Sequence, residues 1–134
     1  MKYLLDTNIC IYIIRQKPDN VIKKFLSLST GSIGLSVITL AELQYGISKS
    51  SQPDKNALAL EKFLIPLQII EFNAAASVEY GKIRSNLEKT GNVIGSMDML
   101  IAAHAKSLNL TLVTNNEKEF RRVSGLEVEN WVNE

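Results

Sequence analysis

Three acids stand where an acid is expensive. Asp6 ends the apolar run Met1-Lys2-Tyr3-Leu4-Leu5 and is followed by Thr7-Asn8 and a second apolar stretch, Ile9 to Ile14. Asp98, one of only four aspartates, lies inside Ile94-Gly95-Ser96-Met97-Asp98-Met99-Leu100-Ile101-Ala102-Ala103-His104. Between them, Glu42 interrupts a segment made largely of Val37, Ile38, Leu40, Ala41, Leu43, Tyr45 and Ile47. Carboxylates held against apolar surroundings need something positive to satisfy them, and a divalent cation is the usual answer. Mg²⁺ or Mn²⁺ takes oxygen ligands in an octahedron and only a few carboxylates, leaving positions for water and a substrate phosphate. The chemistry this suggests is metal-assisted hydrolysis of a phosphodiester.

Each acid also has a plainer job open to it. Asp6 can cap the helix that follows, although Thr7 and Asn8 could do so as well. Asp98 suits the first turn of a helix, where the dipole favours negative charge. Glu42 is harder to explain, because its helix reads as apolar around most of its circumference and therefore largely buried, with Thr39, Glu42 and Gly46 on one narrow stripe. Thr7, Asn8, Ser36, Thr39, Ser96 and Thr114 could orient the carboxylates or bound water, and each doubles as a cap or strand end. His104 falls on the line Met97, Leu100, Ile101, His104, Leu108 and reads as a core histidine outside the site.

The elements that must position these acids alternate between strand and helix. Residues 2–6 read as a buried strand and 7–16 as a helix ended before Pro18. Asp19-Asn20 caps a second helix to about Ser29. Ser32–Ser36 is a strand leading into a helix from about Val37 to Ser48, and Pro53 opens another that stops near Ile65-Pro66. Leu67–Phe72 reads as a strand, with Asn73 capping a long helix whose apolar line is Ala76, Tyr80, Ile83 and Leu87. Gly91-Asn92 closes it through a left-handed cap. A helix from Gly95-Ser96 to about Leu108 precedes the strand Leu110–Thr114, a helical turn near Asn116–Phe120 and a weak edge strand at Leu126–Val128. The expected fold is α/β, one domain over residues 1–134, with a mainly parallel sheet of about four or five strands and helices on both faces. Acids at strand ends and helix starts of such a sheet can converge on one crevice.

Composition sets bounds. The 134 residues suit one domain, and 46% apolar content is ordinary for a globular protein. No window is long and uncharged enough to span a bilayer, and no small-residue cleavage site follows the N-terminal run, so a cytoplasmic protein is expected. One cysteine, Cys10, cannot form an internal disulfide and reads as a small apolar residue. With a net charge of +1, no global field draws the chain to nucleic acid. Local clusters at Lys23-Lys24, Lys82-Arg84-Lys89 and Arg121-Arg122 are the candidates for contact. A phosphatase of the Asp-x-Asp kind lacks its second acid here, and no glycine-rich phosphate loop with Lys and Ser/Thr occurs.

Four segments together carry a resemblance that covers essentially the whole chain. They are Leu5-Asp6-Thr7-Asn8, then Ala41-Glu42-Leu43 with Gly46, then Ile94 to Ala105, and Leu112-Val113-Thr114-Asn115-Asn116-Glu117-Lys118-Glu119-Phe120. In order and spacing they resemble the PIN-domain ribonuclease toxins called VapC. The resemblance implies that Asp6, Glu42 and Asp98 are metal-binding and catalytic acids. Many PIN domains place a fourth acid where this chain has Asn116, which argues against a firmly held second ion. Asn116 could still bind through its carbonyl, and Glu119 is a nearby acid that could substitute, though it also reads as an exposed residue of a short turn. The resemblance further implies a Mg²⁺-dependent (or Mn²⁺-dependent) endoribonuclease that halts translation by cutting RNA. A tRNA is the expected substrate, with the anticodon stem-loop of initiator tRNA as the first expectation. It implies a homodimer and a cognate VapB-type antitoxin that blocks the acidic site. The alternative is a degenerate PIN-like module that binds RNA or a protein without cutting.

Overall fold

The centre of the sheet is β1 (Tyr3–Leu5), buried at all three residues. It lies between β2 (Ile33–Ser36) and β4 (Thr111–Val113), while β3 (Gln68–Ile70) and β5 (Val128–Glu129) form the two edges, giving the order β3-β2-β1-β4-β5. Every neighbouring pair runs parallel. The structure, a computed structural model, describes residues 1–29 and 31–133. Because the chain order reverses at β1, the carboxyl ends of β1 and β4 border the crevice where open parallel sheets bind ligands. Asp6 is the first residue beyond β1, and Leu5 is registered with Val113, so residues 6 and 114 emerge side by side.

Alternation along β1 divides the core in two. Tyr3 and Leu5 face a cluster containing Ile9, Cys10, Val21, Leu43, Leu60 and Trp131, covered by α1 (Thr7–Arg15), α2 (Asp19–Ser27), α3 (Val37–Ser48) and α4 (Pro53–Leu64). Leu4 faces the opposite cluster, built on α5 (Ala74–Lys89), α6 (Ser96–Ser107) and the single turn α7 (Glu117–Phe120). Cys10 is a free, fully buried thiol within the first cluster, in keeping with its reading as an apolar residue. Among the described residues no helix is long and apolar enough to cross a membrane.

Several local expectations shift. The strand expected over Leu67–Phe72 is only Gln68–Ile70, and its first two residues are exposed, as befits an edge. Asp19 is the first residue of α2 with Pro18 in the cap position, in an extended conformation and without a side-chain cap. Ser96, expected as a cap, is the first helical residue behind Gly95, which offers no side-chain cap. The last strand falls at Val128–Glu129 rather than Leu126–Val128, and a 3-10 turn at Trp131–Asn133 was not foreseen. Asn73 and Gly91 behave as read: the Asn73 side chain accepts from the Ala76 N–H, and Gly91 holds φ +69° beyond α5. The expectation that α3 is largely buried is corrected. Only Thr39 and Leu43 are buried on it and Tyr45 is 66% exposed, because its outer apolar residues line an open groove.

Trp131 fastens the end of the chain beneath the site. It is fully buried, meets Tyr3 edge-on at 5.5 Å and donates from Nε1 to Glu129 Oε1. Replacing Trp131 by Ala should cost about 3–5 kcal/mol of stability through the cavity left against β1. Chemical denaturation checks this, and a loss below about 1 kcal/mol would show that the site collapses around the smaller residue.

Candidate active site

Asp6 leaves β1 almost wholly buried and is fixed on both oxygens. Its Oδ1 accepts from the Thr7 N–H at 2.7 Å, making it the N-cap of α1, and its Oδ2 accepts from the Thr114 hydroxyl at 2.8 Å. Capping and a place in the crevice therefore coexist in one carboxylate. Thr114 is held in turn, since its Oγ1 accepts from the Asn116 N–H at 2.9 Å. The next link is Thr7, whose hydroxyl donates to Glu42 Oε1 at 2.6 Å and so ties the start of α1 to the middle of α3. Asp98 is the third residue of α6 and half-buried. A Cβ on Gly95 would stand 3.4 Å from Asp98 Oδ2, so glycine leaves that carboxylate room.

Electrostatics show that these acids share one space. Burial pushes the Asp98 carboxyl up to about 6, and the negative charges of Asp6, Glu42 and Glu119 push in the same direction. Asp6 is also raised, chiefly by burial; the Thr114 and Thr7 hydrogen bonds pull it back and Glu42 pushes it up. Neither of the described ion pairs, Arg84–Glu88 and Arg121–Glu117, reaches these acids. A crevice of mutually repelling oxygens fits a hard divalent cation. Among the described residues no three acid, histidine or cysteine side chains are already gathered at ligand spacing.

The remaining expected residues divide clearly. Thr7 and Thr114 orient the acids directly, whereas Asn8 and Ser96 are exposed and join none of these bonds. Glu119 is not the exposed turn residue it resembled: it is half-buried, accepts from Asn116 Nδ2 at 3.1 Å, and bears on Asp98. Ser36 and Thr39 lie deeper, fully buried, and Ser36 bonds to His104 rather than to an acid. One arrangement escaped the sequence reading. Asn115 Nδ2 donates to Tyr12 Oη at 3.1 Å and Asn130 Nδ2 donates to Asn115 Oδ1 at 3.2 Å, which braces the 114–116 turn against α1 and the end of the chain. The Asn-Asn pair after a strand was its only signal. From Thr7 and Glu42 a groove of about 570 Å³ runs between α1, α3 and α4, past Ile11, Leu43 and Tyr45 to Lys49.

A parallel sheet with acids converging beside its switch point is a nuclease arrangement, and comparison with known proteins agrees. The family model described as PIN domain matches residues 3–126. The chain is 48% identical to the ribonuclease VapC2 of Rickettsia felis over 132 residues, covering 98% of both chains. It is 43% identical to the tRNA(fMet)-specific endonuclease VapC of Shigella flexneri, with the same coverage of each. The crystal structure of Rickettsia felis VapBC2 bound to a promoter DNA fragment contains a chain that superposes with a TM-score of 0.92 at 47% identity, covering 98% of this chain and 99% of that one. The chain belongs to the VapC ribonucleases of the PIN-domain family.

Since its folded pKa lies above the ordinary 3.8, protonation of Asp98 favours the cation-free fold. That contribution is complete below pH 3.8 and is lost as pH rises through about 6. A divalent cation acts oppositely, because it binds the ionised form. Carboxyl ¹³C NMR should place the Asp98 midpoint near 6 without divalent ions and move it down when Mg²⁺ is added. A midpoint at the ordinary aspartate value would show that the acids do not share a space.

Proposed function

We propose that this ribonuclease is the toxin of a toxin–antitoxin pair, a Mg²⁺-dependent endoribonuclease acting as one PIN domain over residues 1–134. Its substrate in this reading is initiator tRNA, cut in the anticodon stem-loop, and the outcome is arrest of translation in the cytoplasm. The observation that carries the metal dependence is the mutual repulsion of Asp6, Glu42, Asp98 and Glu119 in a crevice without a basic partner among the described residues. The substrate follows from relatives named as tRNA(fMet)-specific endonucleases, 40–43% identical over nearly the full chain.

Asp6 and Asp98 would hold the ion, with Glu42 completing its shell or orienting the attacking water. A bound Mg²⁺ supplies Lewis acidity at phosphorus and lowers the pKa of water. The chain's own groups do the rest. Thr7 and Thr114 direct hydrogen bonds at the ionised form of Asp6, which keeps this buried carboxylate available. Thr7 turns Glu42 toward the same crevice, and Asn116 steadies Glu119. Having an amide at residue 116 instead of an acid removes one charge, so one ion is held firmly and a second arrives only with RNA. Manganese would serve in the same octahedral oxygen set.

The partner is a VapB-type antitoxin acting on a toxin homodimer, by analogy with structures described as VapBC complexes. The groove leading away from Glu42 offers such a partner an apolar seat, and a basic side chain reaching the acids would compete with the metal for the same charge.

Purified, antitoxin-free protein should cut initiator tRNA at discrete positions with Mg²⁺ and leave it intact with a chelator. Asp6→Ala and Asp98→Asn should each lower the rate by at least ~100-fold, since even groups behind metal ligands are worth 10–100-fold. Intact tRNA from folded, metal-supplied protein would overturn the substrate assignment. Full activity in Asp98→Asn would remove that residue from the site.

A further inference from the structure

The two helices that deliver Glu42 and Asp98 are joined by one buried hydrogen bond that takes no part in the chemistry. His104, 1% exposed on α6, places Nδ1 at 2.7 Å from the hydroxyl of Ser36, the fully buried N-cap of α3. The same hydroxyl also accepts from the Ile38 N–H at 3.0 Å, which ties the His104 ring to the first turn of α3. Phe72 meets the ring edge-on at 5.3 Å and fixes its plane. Thr39, three residues further along α3, is equally buried, and its hydroxyl has no partner among the described residues, so it supplies no second polar link.

The spacing makes this bond a fulcrum. Glu42 lies six residues beyond Ser36, and Asp98 lies six residues before His104. At about 1.5 Å per residue each acid stands roughly 9 Å from the bond along its own helix. A tilt of about 5° between the helices would then displace the carboxylates by roughly 0.8 Å, against a metal-site tolerance of about 0.2 Å. From α3, Ile38 also packs against the apolar cluster that includes Met99 and Ala103 of α6, a contact without the direction of a hydrogen bond. We propose that His104 is a positioning residue, whose hydrogen bond to Ser36 sets the separation of Glu42 and Asp98 and thereby the affinity of the site for its divalent ion. This rests on the reading of Glu42 and Asp98 as the acids that hold the ion.

The test is Mn²⁺ affinity, read by electron paramagnetic resonance on the purified protein, with thermal unfolding and RNA-cleavage kinetics alongside. His104→Leu fills the space without the bond, and Ser36→Gly removes the hydroxyl while keeping a tolerated cap. Both should remain folded, bind Mn²⁺ about 10–100-fold more weakly and lose kcat with little change in KM. His104→Asn, whose amide can reach the position of Nδ1, should restore most of the affinity. Wild-type Mn²⁺ affinity in a folded Ser36→Gly or His104→Leu protein would overturn the proposal, as would an Asn variant no better than Leu. Should the Leu variant fail to fold, Ser36→Gly decides alone. Asp98→Asn is measured in parallel: wild-type Mn²⁺ affinity there would show that the acid assignment itself has failed, independently of the hinge bond.

Discussion

Repulsion among carboxylates at the carboxyl end of β1 is the constraint around which this protein is arranged. Burial raises the carboxyls of both Asp6 and Asp98, the latter to about 6, and the charge of Glu42 on each, with those of Asp6 and Glu119 on Asp98, adds to it. The fold tolerates this because the cost is spread. Asp6 recovers part of its lost hydration from Thr7 and Thr114, and Glu42 recovers some from Thr7. Asp98 stays half in solvent. What remains uncompensated is the affinity the site offers a cation, and it has the same origin whether that cation is a metal ion or a basic side chain of an inhibitor.

The parallel sheet makes the convergence possible. The register of Leu5 with Val113 delivers Asp6 and Thr114 at one height, so the hydroxyl meets the carboxylate without any long loop. The flanking layers bring the other acids from opposite sides. Glu42 arrives on α3, which packs with the cluster beneath Tyr3 and Leu5, and Asp98 arrives on α6 above Leu4. The site is therefore a joint between two cores, and its geometry depends on how firmly the layers are locked together. Trp131 against Tyr3 and the Asn115–Tyr12 and Asn130–Asn115 bonds firm up the layer beneath Tyr3 and Leu5 and the 114–116 turn beside it. Ser36 and His104 meet across the joint itself.

Much of this was legible in the sequence because it depends on local patterns. Apolar runs ended by an acid located β1 and Asp6. The Asn73 cap and Gly91 bounded α5, and the alternation of strand and helix gave the parallel sheet. The apolar composition around Glu42 suggests a buried helix, yet the outer apolar residues of α3 line a groove, and hydropathy alone does not distinguish a core face from a docking face. Glu119 was read as exposed for the complementary reason: a short turn gives no periodicity from which burial can be inferred. The bonds joining Tyr12, Asn115 and Asn130, and those joining Ser36 and His104, link residues far apart in the chain. Such pairings are set by tertiary packing and leave no mark on any one segment.

Asn116 shows how the same electrostatics constrain which residues the site can accept. An acid there would lie close to Glu119 and add a fifth negative charge to a crevice where the Asp98 carboxyl is already pushed up to about 6. The amide instead donates to Glu119 Oε2, replacing a repulsion with an attraction and holding the acid in place. Its backbone N–H meanwhile bonds Thr114 Oγ1, which leaves the threonine proton free to point at Asp6. One residue thus steadies two acids by hydrogen bonding while carrying no charge. In the reading proposed above, that favours a site that holds a single ion firmly and relies on the phosphates of an RNA substrate to bring any second one.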